Sequence, residues 1–294
     1  MADQTVSAPA APPPAKDISL WRIALRNKSV LWGGILLLLI VLVAIIGPFF
    51  TVDPVALNPM NRLKAPWSEA GLFGTDQLGR DVFSRVVNGA RISLIVGLAV
   101  AAIAIAIGLL LGLIAGYIRV MDAVIMRVMD GLMSIPAILL AIALISLSGA
   151  TLFTVIAAIV IPEIPRVTRL VRSVVLTVRE EPYVEAAISV GTRVPRIMLN
   201  HVLPNTIAPL IVQATYICGF AMLTEAILGF LGAGIPPEIP SWGNIMSEGR
   251  TFFQLTPWII FFPGICLAMT VLAVNIVGDG LRDTLDPRIA RNMR

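Results

Sequence analysis

Residues 29–50, SVLWGGILLLLIVLVAIIGPFF, run for 22 positions without a single charge. A helix rises about 1.5 Å per residue and the hydrocarbon core of a bilayer is about 30 Å thick, so roughly 20 apolar residues are enough to cross it. A run of this length has no comfortable place in a soluble domain of 294 residues, and it is not alone. Further apolar runs occur at 91–117, 123–148, 151–172, 206–232 and 257–278. The pattern predicts an all-α membrane protein with six transmembrane helices and both termini on one side. Composition agrees: 57% of residues are hydrophobic and 14% charged, against about 25% charged in ordinary soluble proteins. No stretch is long enough for a second soluble domain of ordinary size.

Sidedness follows from the basic residues. Sixteen of the 22 Lys and Arg fall on the side of the termini, and six on the other. The positive-inside rule therefore puts the termini and the 173–205 loop in the cytoplasm, with loops 51–90 and 233–256 outside. Residues 1–16, rich in Ala and Pro, read as an unstructured tail without signal-peptide features. Residues 17–28 mix Asp17, Arg22, Arg26 and Lys28 with Trp21 and aliphatics, the pattern of a helix lying at the interface. Thus 1–28 is a cytoplasmic tail with an interfacial helix, and 29–294 the membrane domain. The basic residues flank spans instead of forming one patch, which speaks against nucleic acid. Cys218 and Cys266 lie in apolar runs without metal-ligand spacing and read as small buried hydrophobes.

The most informative polar segment is 185–205, EAAISVGTRVPRIMLNHVLPN. Val184, Ala187 and Ile188 form one apolar stripe before Gly191. Val194, Ile197, Met198 and His201 form another after it, at helical spacing. Pro195 suits only the first turn of a helix. The segment reads as helix, glycine turn, helix: either a docking hairpin or a surface element lying on lipid.

Its residues resemble a known family. Glu185-Ala186-Ala187, three residues, Gly191, then a gap ending in Leu203-Pro204 is similar to the cytoplasmic loop of binding-protein-dependent ABC importer permeases. The form His201-x-Leu203-Pro204-Asn205 resembles the peptide and nickel branch. Three more stretches resemble that branch: GTDQLGRDVFSR at 74–85, EAILGFLGAG at 225–234 and GDGLRDTLDP at 278–287. The resemblance implies a type I ABC importer permease fold in a bacterial cytoplasmic (inner) membrane. It also implies four kinds of partner: a second homologous permease, two ATP-binding subunits holding ATP and magnesium, an extracytoplasmic solute-binding protein and membrane lipid. The coupling of ATP hydrolysis to alternating access is then assigned to Glu185, Ala186, Ala187, Gly191, Arg193, Arg196, His201, Leu203 and Pro204. The solute implied is a di- or oligopeptide, with nickel or another small solute as the alternative.

The residues themselves fit a transport subunit that is not an enzyme. No G-x-x-x-x-G-K-[ST] occurs, so the chain has no P-loop of its own. A lone His201 makes no metal site, and no hydrolase triad or zinc motif is present. An ion-coupled carrier would show inverted repeats with matched intramembrane charges, and none is evident. Two acids, Glu163 and Glu225, lie deep in apolar runs, where an ionised group costs about 2.5–3.5 kcal/mol. Each is a candidate for the translocation pathway. For Glu163 an ion pair with Arg166 at i, i+3 is the simpler account; for Glu225 packing and pathway stand level. Asp81 and Arg85 at i, i+4 are spaced to pair on a short helix, with Val82, Val86 and Val87 facing the membrane. Arg127 and Asp130 are likewise spaced to pair. Pro162 and Pro165 predict a kink near Glu163, and Trp242 reads as an interfacial anchor. Gly229, Gly232 and Gly234 suit close helix approach.

Overall fold

A computed structural model describes residues 27–69 and 71–285. The tail 1–16, most of the interfacial helix expected over 17–28 and the chain beyond Leu285 lie outside the described residues.

Helix α1, Lys28–Ile46, starts where the Asn27 side chain accepts the Ser29 N–H at 2.9 Å. The Asn27 amide donates to the Gly280 carbonyl at 3.3 Å, joining the start of α1 to the far end of α10 (Trp258–Leu285). Pro48 lies in the turn Gly47–Phe49, just past the helix end at Ile46.

Helix α2, Val82–Tyr117, is 36 residues, about 54 Å at the helical rise, and so outlasts the bilayer. It begins at Val82, well before the expected crossing at 91, because Asp81 caps it by accepting the Ser84 N–H at 2.9 Å. That use of the carboxylate corrects the expected Asp81–Arg85 pair. Arg85 turns instead to Asp76 at 2.8 Å and to Glu248 at 2.6 Å. Val82, Val86 and Val87 are buried in protein and do not face lipid.

Beside them stands a cap built from the 51–81 segment and α9, Trp242–Gly249, a helix inside the stretch expected to be loop, while the end of α1 at Gly47 lies against Val87. Asp76 anchors the cap: it bonds Arg80 at 2.6 Å as well as Arg85, and Arg80 also reaches Glu248. Two arginines and two carboxylates thus tie the loop to α2 and α9. Trp242 corrects another expectation. It is 1% exposed, and its indole Nε1 donates to the Val86 carbonyl at 3.0 Å, so it is a core residue and not an interfacial anchor.

The central contact pairs α2 with α5, Leu152–Arg179. Gly108, Gly112 and Gly116 face Val167, Val171 and Val175 in order, so the helices run parallel with a glycine groove receiving a valine ridge. Arg179 donates to the Gly116 carbonyl at 3.4 Å. The segment after α5 therefore lies at the C-terminal end of α2, opposite the cap.

The run 123–148, expected as one helix, is two. Helices α3, Arg119–Met133, and α4, Ala137–Ser148, meet at 87°. Ser134 closes α3 by donating its hydroxyl to the Gly131 carbonyl at 2.7 Å. Pro136 then has no N–H to give and excludes helical backbone at Ile135. Asp130 pairs with Arg169 of α5 at 2.6 Å, correcting the expected partner Arg127, and Asp122 pairs with Arg172 at 2.7 Å.

By length and composition α1, α2, Val194–Phe230 and α10 can each cross a membrane, and α3 with α4 is a fifth candidate if the bent pair counts as one span. Helix α5 is 28 residues long but carries Glu163, Arg166, Arg169 and Arg172 along its length; Pro162 and Pro165 both lie inside it. The chain is an all-helical membrane protein.

Candidate functional site

The hairpin is built from the C-terminal end of α5 onward. After Arg179 the chain turns at Glu180 and Glu181, and Pro182 opens α6, Pro182–Ser189. Proline suits that first position, where its missing N–H breaks no bond. Gly191 adopts φ +82°, the left-handed region that favours glycine, and reverses the chain. Helix α7, Val194–Ile197, widens into a π-helical turn, Met198–Val202, which runs into α8, Leu203–Phe230.

Helix, glycine turn and helix are thus all present, but the second apolar stripe is split. Ile197 is buried and Met198 and His201 are half-buried, whereas Val194 is exposed. In the π turn itself Val202 is buried and Leu199 exposed.

Val184 anchors α6 to the bundle. Around it the surface is apolar and unpartnered: Val190 is 86% exposed and Leu199 60%, with Tyr183, Ile188 and Val194 also exposed. Glu185 lies exposed in the first turn of α6, where the helix dipole favours a carboxylate. Among the described residues it forms no ion pair, with Arg179, Arg193 or any other base. Ala186 is exposed and Ala187 half-buried; Arg193 occupies the N-cap position of α7, and Arg196 is exposed. His201 and Leu203 are half-buried and Pro204 exposed.

One clamp was not legible as such. The Asn205 amide donates to the His201 carbonyl at 2.6 Å and to the Tyr183 hydroxyl at 3.3 Å. The Tyr183 and His201 rings lie 6.0 Å apart. This clamp ties α6 to the start of α8. The spacing of His201 and Asn205 at i, i+4 was its only trace in the sequence.

The two deep acids separate. Glu163 bonds Arg166 at 2.9 Å, as its spacing predicts. Glu225 accepts the Ser93 hydroxyl at 3.3 Å, and Ser93 also accepts the Trp242 N–H at 3.4 Å. Glu225 is 0% exposed, enclosed between α8, α2 and α9. Gly229 lies against the Gly243 backbone and Gly234 against Gly229, allowing that close approach. Gly232 instead serves a turn at φ +81° with open space around it.

Comparison with known proteins agrees with this architecture. Residues 104–291 match the family described as binding-protein-dependent transport system inner membrane component. Residues 16–66 match the N-terminal TM domain of oligopeptide transport permease C. A probable peptide ABC transporter permease protein of Sinorhizobium fredii is 56% identical, over 98% of each chain. A dipeptide transport system permease protein of Alkalihalophilus pseudofirmus is 44% identical, over 96% of this chain and 95% of that one. The oligopeptide transport system permease protein of Bacillus subtilis is 38% identical, over 94% and 92%. With a family model covering more than half its length and relatives matching nearly end to end, the chain belongs to the binding-protein-dependent ABC transport permeases of the inner membrane.

Proposed function

We propose that this chain is the membrane-crossing subunit of an ATP-driven importer of di- or oligopeptides, and that its 173–205 hairpin takes up the stroke of the ATP-binding subunits. The observation that carries the reading is the hairpin itself. An apolar surface, flanked by Glu185, Arg193 and Arg196 with no ion pairs among the described residues, stands at the end of the bundle and is clamped to α8. Such a surface suits the helix-in-groove mode of recognition. Glu185, Ala186, Ala187 and Gly191 form its tip; His201, Leu203 and Pro204 form its joint with the membrane helix.

In this reading the chain crosses the bilayer six times, with α3 and α4 together as the third crossing and α5 as the fourth. Both termini and the hairpin are cytoplasmic, and the Asp76–Arg85–Glu248 cap is extracytoplasmic. A second homologous permease completes the passage, a solute-binding protein delivers the peptide at the cap, and ATP with magnesium sits on the partner subunits. The peptide named for three relatives supports the choice of solute.

The test is co-purification and uptake. The assembly isolated in mild detergent should contain an ATPase, a second permease and a binding protein, and should carry peptide into proteoliposomes when ATP is supplied. Glu185→Lys or Gly191→Asp should abolish uptake while the chain still inserts. Unchanged transport by both variants would refute the coupling role.

A further inference from the structure

The exposed face of α5 is polar. Arg166, Arg169, Ser173 and Thr177, at steps of three and four, share it and are exposed or half-exposed, while the opposite valine face is buried on α2. A membrane helix with arginines on its open face cannot present it to lipid, since each such charge costs about 2.5–3.5 kcal/mol near the bilayer centre. Arg166 lies nearest the middle of α5. Asp130 answers Arg169 in an ion pair. Arg166 is answered only through Nη1, by Glu163, whose carboxylate is itself enclosed. Its Nε and Nη2 have no partner among the described residues, and its side chain is 38% exposed.

The guanidinium lies 5.2 Å from the centre of the Phe220 ring on α8, and Tyr216, half-exposed, stacks beside Phe220. Four residues toward the hairpin, Leu170 borders a cleft of about 780 Å³ between α5, α8 and α10, lined also by Gln213 and Arg282. Arg166 does not itself line that cleft but stands one helical turn beyond Leu170, with Nε and Nη2 free among the described residues and the Phe220 ring beside it.

We propose that the open side of α5 at Arg166, continued toward the hairpin by this cleft, is this chain's share of the solute passage, and that Arg166 receives the free carboxylate of the passing solute, with Glu163 as the positioning residue that aims it. The inference rests on the importer reading above and adds a residue and a chemical preference to it. A planar guanidinium with one edge held by Glu163 and the other free suits a carboxylate, and Phe220 and Tyr216 suit the apolar body of a short peptide.

The experiment is uptake of trialanine and of trialanine amide by the full assembly in proteoliposomes, in wild-type and Arg166→Gln forms. The ratio of acid to amide uptake is compared between the two forms. Selection by the binding protein is common to both and cancels in that comparison. The ratio should fall by about tenfold in the variant, the worth of one charge-assisted hydrogen bond. Arg166→Lys, which keeps the charge, should restore much of it. If Arg166→Gln does not assemble with the ATPase, the pair Glu163→Gln with Arg166→Gln leaves no unpaired buried charge and gives the same readout. An unchanged ratio in a variant that still transports would overturn the inference and leave Arg166 as a counter-ion for Glu163, or as a contact with the second permease. Wild-type assemblies that bind ATPase yet carry neither compound would overturn the peptide reading, and this inference with it.

Discussion

Replacing Gly112 by alanine tests the glycine groove on which the bundle is centred. An added Cβ would sit 2.6 Å from the Val171 Cβ and 2.8 Å from the Thr168 carbonyl oxygen. Ordinary carbon contacts are about 3.5–4.0 Å, so α2 and α5 must part by roughly an ångström. Neither obstacle can yield alone, because one is backbone and the other a Cβ fixed to it. Separation would also open the neighbouring contacts of Gly108 with Val167 and Gly116 with Val175. Overpacking of this kind costs about 1–3 kcal/mol. Unfolding of the purified chain by SDS titration should show that loss for Gly112→Ala. Gly34→Ala, where an added Cβ meets nothing within 4 Å, should be neutral. Gly116→Ala should be rescued by Val175→Gly, since all three of its nearest obstacles belong to that one side chain. Val175→Ala should not rescue it, because the clashing Cβ would remain. Equal stability of Gly112→Ala and Gly34→Ala would refute the close parallel packing of α2 and α5.

Asp76→Ala should lower the thermal midpoint sharply and expose the 51–81 loop to protease. It leaves Arg80 and Arg85 with only Glu248, and breaking a buried ion pair costs about 3–5 kcal/mol. Asp81→Asn should keep the N-cap, since Asn caps as well as Asp. Burial pushes the Asp81 carboxyl above its ordinary value, against the N–H bonds of Ser84 and Phe83, which lower it. The ionised form is thus the disfavoured one, and the wild type loses stability as pH rises through that raised value. The Asn variant should therefore match or exceed wild type at pH 7, and the gap should close as pH falls below about 4; thermal midpoints across that range provide the check. Gly191→Ala places a side chain in open space at φ +82° and should cost about 1–2 kcal/mol of hairpin order through backbone strain alone. Faster amide exchange over 182–202, with the rest of the chain unaffected, is the expected signature.

Several features needed no third dimension. The uncharged run at 29–50 can satisfy its backbone in a bilayer only as a helix, and glycine at 191 marks a turn because few other residues tolerate positive φ. Glu163 and Arg166 meet because helical spacing alone brings i and i+3 together. Tertiary structure decided everything in which a side chain had a choice of partners. Asp81 could pair with Arg85 or cap its own helix; with Asp76 and Glu248 delivered from elsewhere in the chain, Arg85 left it free to cap. Trp242 could sit at an interface or in a core, and the Val86 carbonyl fixed which. Apolar periodicity carried the run 123–148 across a break that Ser134 and Pro136 make in the backbone. Sequence counted Arg169 and Arg172 only as charges for sidedness, and gave Arg166 only its pairing with Glu163. Their distribution between α3, Glu163 and an open face depends on how α5 is turned against the glycines of α2, a rotation that only the packed bundle determines.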